Sequence, residues 1–130
     1  MTLNEYIQFK QSKTREKQSD FVEYLYLMMD KYGYSKSSDL YTKANISKQS
    51  WSSIVSKKCN PSLSTCIKIV FALKLQNREC KYLLKKAGYT LPSSNKYALI
   101  IRYCIENEIY DLYELNKYLI EYGYTKSIIE

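Results

Sequence analysis

The chain has no histidine, and only three glycines and two prolines among its 130 residues. Without histidine, the Ser-His and Cys-His pairs that activate a nucleophile are excluded. There is also no Gly-rich phosphate loop and no spaced carboxylate pair, so no enzymatic chemistry is expected. No uncharged apolar run reaches the roughly 18 residues that a membrane-spanning helix needs. The first residues, with Asn4, Glu5, Gln8 and Lys10, hold no apolar signal core. A cytoplasmic chain without a membrane partner is therefore expected. The four cysteines, Cys59, Cys66, Cys80 and Cys104, include no Cys-x-x-Cys pair. A zinc site would have to gather four thiolates from separate helices, at spacings unlike known zinc modules. The simpler reading makes Cys66, Cys80 and Cys104 small core residues and places Cys59 in a loop. No metal and no cofactor are expected.

What the chain has in excess is positive charge, and the charge is localised. Net charge is +7. Residues 31–86 hold twelve Lys/Arg against only Asp39 and Glu79, a balance of +10. Residues 1–30 balance at −1 and residues 91–130 at −2. A polyanion is the natural partner of the middle segment. A lysine-rich solvated surface without a partner is the plain alternative.

The periodicity is helical throughout, with neither sustained alternation nor a hairpin dipeptide. Thr2-Leu3-Asn4-Glu5 has the form of a capping box opening a short leading helix. Residues 10–18 are polar and charged and read as a flexible basic stretch, a tail or an arm. Asp20-x-x-Glu23 then reads as the next helix start, with Phe21, Leu25, Met28 and Tyr32 on one face. Helices are expected over Ser37–Ala44 and Lys48–Lys57, joined by a tight turn at Ala44-Asn45-Ile46. Pro61-Ser62 opens a fourth helix with Leu63, Cys66, Val70 and Leu73 as its apolar stripe. Asn77 is the expected cap of a fifth, with Leu83, Leu84 and Ala87 inward. Ser93 or Ser94 should start a sixth, and Asp111-x-x-Glu114 a seventh. Each glycine, Gly33, Gly88 and Gly123, is followed by tyrosine just past a helix. That is the pattern of a left-handed C-terminal cap whose next residue folds back on the last turn.

Residues 36–75 resemble the helix-turn-helix of the phage repressor/Cro (XRE) family. The resemblance is carried by Asn-Pro-Ser-Leu-x-Thr at 60–65, Ile69 and Ala72-Leu73, with Leu40, Ile46, Ser47 and Ile54 on the family's core and capping positions. It implies an all-α fold: a repressor-like five-helix helix-turn-helix domain over 20–90, plus two C-terminal helices over 91–130. Residues 1–19 form an N-terminal polar segment or short helix before it. The function implied is transcriptional regulation in a bacterium, phage or mobile element. The third helix of this domain would dock in the major groove of double-stranded DNA. Lys48, Gln49, Ser50 and Ser53 would then read bases; Gln suits adenine and Lys suits guanine. Lys36, Ser37, Lys43, Lys57 and Lys58 would contact phosphates, and Trp51 and Ile54 would point into the core.

Three departures open other readings. Tyr41 stands where the family has a small residue, and must turn outward or widen the helix crossing. Val55 replaces a polar position. Ser52, Ser53 and Ser56 leave the outer face short-armed. A helix-turn-helix that docks on an acidic protein or a nucleoprotein is therefore the rival reading. Tyrosines near lysines also admit RNA. The segments 97–105 and 109–122 carry more apolar surface than one packing face uses. A homodimer or partner surface built on Ile101, Ile105, Tyr113 and Ile120 is expected. The alternative is that these helices simply cover the rest of the domain.

Overall fold

The computed structural model describes residues 1–124, and for residues 12–20 the backbone alone. Among the described residues the chain is all-helical: α1 Leu3–Lys31, α2 Ser37–Lys43, α3 Lys48–Val55, α4 Leu63–Leu73, α5 Asn77–Ala87, α6 Lys96–Glu106 and α7 Leu112–Glu121. Among the described residues no helix is long and apolar enough to cross a membrane.

The starts follow from side-chain caps that satisfy the free N–H groups of the first turn. Thr2 accepts from the Glu5 N–H, and Glu5 reaches back to the Thr2 N–H. Ser47, Ser62, Asn95 and Asp111 cap α3, α4, α6 and α7 in the same way. Asn95 therefore displaces the expected Ser93 or Ser94. At α5 the cap position is Gln76, not Asn77, and the Gln76 N–H donates to Glu79 Oε1 at 3.0 Å. The expected break in residues 10–19 is absent. α1 is continuous through Asp20, because nothing in that polar stretch, neither Gly nor Pro, stops a helix once it is nucleated. The reading of this stretch as a DNA arm falls on side chains outside the described residues.

All seven helices stop in one manner. The residue past each last turn is left-handed: Gly33, Asn45, Lys57, Lys74, Gly88, Glu108 and Gly123. The next N–H then bonds back five residues, as in Tyr34 to Met29 at 2.8 Å and Ile109 to Cys104 at 2.7 Å. Only three of these positions are glycine, so four ends hold an L-residue in strained backbone. Left-handed backbone costs an L-residue about 1–2 kcal/mol, and part of that gain is offset by glycine's freedom when unfolded. Glu108→Gly should therefore raise the unfolding free energy by about 0.5–1 kcal/mol. A urea midpoint that stays put or falls would contradict this.

α4 is the centre of the molecule. Eight consecutive residues, Cys66 to Leu73, are buried, as a helix surrounded on all sides requires. The expected stripe was only part of that. α2 and α5 pack on α4, α3 on α2, and α1 on α5; α6 packs on α5 and α7 on α6. Phe21, Leu25 and Met28 of α1 are buried as expected. Glu79 on α5 ties α1 down: it accepts from Lys31 Nζ at 2.6 Å and from the Tyr32 hydroxyl.

The C-terminal pair corrects one expectation. Ile101 and Ile105 are 0% and 2% exposed and sit in the core with Cys104, Leu115 and Leu119. They form no partner surface. Leu99 and Tyr103 are the large hydrophobic α6 residues that point out instead. The wheel of α6 is apolar on both sides, so the sequence pattern alone did not choose which side meets α5 and α7. Tyr113 and Ile120 of α7 are exposed, as expected.

Candidate nucleic-acid interface

α2 and α3 are two short helices joined through left-handed Asn45, with Leu40, Ala44, Ile46, Trp51 and Ile54 buried beneath them. Tyr41 does not turn fully outward. It is half-buried, with its ring 5.9 Å from that of Trp51.

The first turn of α3 presents Lys48, Gln49 and Ser50 to solvent, while Ser53 is half-buried. Ser50 is already engaged: its N–H donates to Ser47 Oγ at 3.1 Å, and its hydroxyl accepts from the Ser47 hydroxyl at 3.0 Å. That leaves Lys48 and Gln49 as the long, solvent-facing arms. Lys36 and Ser37 stand at the start of α2. Lys43 is held in place: its ammonium donates to the Tyr34 hydroxyl at 2.9 Å and lies over the ring. Lys57 and Lys58 are exposed where α3 ends. The exit loop is pinned from behind. Asn60 Nδ2 donates to Ala87 O at 3.1 Å and the Tyr89 hydroxyl to Pro61 O at 2.9 Å, so the end of α5 fixes where α3 leaves. Asn60 and Pro61 thus have a structural task.

The field over this face is more one-sided than the charge count implies. Of the two acids in residues 31–86, Glu79 is 8% exposed and engaged by Lys31 and Tyr32. Burial pushes its carboxyl up, but the hydrogen bonds from Lys31, Tyr32 and the Gln76 N–H outweigh that and hold it below the usual carboxylate range. Only Asp39 remains as an exposed acid on the segment.

Three lining residues were missed as individuals. Thr65, Lys68 and Lys74 border open clefts beside α2 and α3. Lys68, a cation inside the apolar run of α4, was the available signal. The thiols offer nothing comparable. Burial pushes Cys66 and Cys80 up to about 12 and Cys104 to about 11, so all three stay protonated. No group of metal-ligating side chains occurs among the described residues.

No family model, curated protein or solved structure compared with the chain gives a match.

Proposed function

We propose that the chain is a DNA-binding protein of the repressor/Cro type. In this reading α1–α5 are the five-helix domain, α2 and α3 are its helix-turn-helix, and α6–α7 are an extension. It regulates transcription in a bacterium, phage or mobile element by setting α3 into the major groove.

The observation that carries this reading is the exit of α3. At the other six helix ends, the residue after the left-handed one is apolar and packs on the core: Tyr34, Ile46, Leu75, Tyr89, Ile109 and Tyr124. After α3 alone it is a lysine, Lys58, preceded by a second lysine in strained backbone at Lys57. Stability favours glycine followed by an apolar residue there. Two exposed cations where the fold elsewhere keeps an apolar capping contact suit phosphate binding. Within residues 31–86, which hold both lysines, Asp39 is the lone exposed acid.

The roles separate by experiment. Lys48→Ala and Gln49→Ala should change which duplexes are selected from a random pool. Lys57→Gln and Lys58→Gln should weaken all duplexes alike, because phosphate contacts carry no sequence information. If Lys48 and Gln49 prove irrelevant although duplex is bound, α3 is not the reader.

The short outer face of α3, with Ser52 and Ser56 exposed, favours a second reading: docking on an acidic protein or nucleoprotein. Co-purification of an acidic protein that survives nuclease, together with no duplex binding at low salt, would decide for it.

A further inference from the structure

The three open clefts of the basic face share their walls. The first, about 510 Å3, lies between α3 and the start of α4 and includes Gln49, Asn60 and Thr65. The second, about 530 Å3, shares Ser50 and Thr65 with it and runs under the α2–α3 turn past Thr42 and Ser47. The third, about 480 Å3, shares Asn45 and Lys68 with the second and reaches Lys43, Lys74 and Tyr113. Together they make one groove, with α4 as its floor. Thr65, Lys68 and Ala72 stand at i, i+3 and i+7, on one face of that helix. From Ser62 to Lys74 the floor is about 18 Å long at 1.5 Å per residue. That matches the rise of about five stacked bases at 3.4 Å each.

The lining selects for a polyanion. Lys43, Lys68 and Lys74 face a single carboxylate, Asp111, which accepts from the Tyr113 N–H at 2.8 Å as the cap of α7. The remaining polar groups are hydroxyls and amides, which donate readily to phosphate oxygens. At the far end, beside Lys74, stands Tyr113, 77% exposed. A solvent-facing aromatic ring next to cations is a surface on which a base can stack, and stacking needs a base whose face is not covered by neighbours in a duplex.

We propose that this groove binds single-stranded nucleic acid, with phosphates along the exposed Lys43 and Lys74 and an unpaired base on Tyr113. The site extends past the helix-turn-helix into the α6–α7 connection. It does not rest on the duplex reading.

The test is fluorescence anisotropy of the full chain with dT12, with rU12 and with a 20-base-pair duplex at low salt. Tyr113 and Lys74 are exposed, so Tyr113→Ala and Lys74→Gln should leave the thermal midpoint in place. Each should weaken dT12 or rU12 by about fivefold or more, and duplex by less than about twofold. Binding of dT12 and rU12 alike indicates reading by charge and stacking; preference for one adds a contact to the sugar. Failure of both to bind, or equal binding by wild type and both variants, overturns the proposal even if duplex is bound. Loss of duplex binding alone in the Lys57→Gln, Lys58→Gln double variant leaves it standing.

Discussion

Glu79→Ala is expected to lower the unfolding free energy by about 2–3 kcal/mol at neutral pH, the range for removing a charged acceptor from partly buried donors. The carboxylate serves three donors at once: the Lys31 ammonium, the Tyr32 hydroxyl and the Gln76 N–H. Its loss leaves the Tyr32 hydroxyl without its acceptor and removes half of the α5 cap. The same substitution should alter the pH profile. Folding holds the Glu79 carboxyl below its ordinary value of 4.5, so its contribution is complete above that value and fades as pH falls through the folded one. The variant should have a flatter acid limb. Burial, and then the hydrogen bond to Glu79, push the Tyr32 phenol up from 10.0 to about 12. Its contribution is therefore complete below 10.0 and is lost as pH rises towards about 12. Urea denaturation across pH measures both limbs. An acid limb identical in wild type and variant would contradict the role given to Glu79.

Ile101→Ala should cost about 2–4 kcal/mol, the range for a buried aliphatic side chain whose surroundings close only partly. Ile101 is fully buried between α6 and its neighbours. Ile120→Ala, at an exposed position of α7, should stay within about 0.5 kcal/mol. The pair distinguishes a core residue from a surface one. If Ile101→Ala were neutral and Ile120→Ala costly, α6 and α7 would be turned the other way about.

Where the sequence was legible, a local rule left one choice. Gly33, Gly88 and Gly123 fixed three helix ends, since each needs only its own backbone and the tyrosine that follows. Asn45 in the turn, Ser47 and Ser62 as caps, and Trp51 and Ile54 inward were readable for the same reason. Where two choices satisfied the local rule, the sequence was silent. The α6 run is apolar on both faces, so Ile101 and Leu99 could be told apart only by the position of α5 and α7. At α1 the polar stretch looked like an interruption, yet a helix does not need an apolar face to continue once its ends are held. The ends at Lys74 and Glu108 carried no glycine and gave no warning. In the candidate site the lysines were visible as charge. The capping exception at Lys58 emerged only once all seven helix ends could be compared.

The most direct measurement is the affinity for duplex DNA as a function of salt, for the wild type and for the Lys57→Gln, Lys58→Gln double variant. Four lysines on phosphates, Lys36, Lys43, Lys57 and Lys58, predict a slope of about −3 to −4 in log affinity against log salt. The double variant should bind more weakly and lose about two units of that slope. No binding at low salt, or a slope that the double variant leaves unchanged, would contradict the assignment of this face to the DNA backbone.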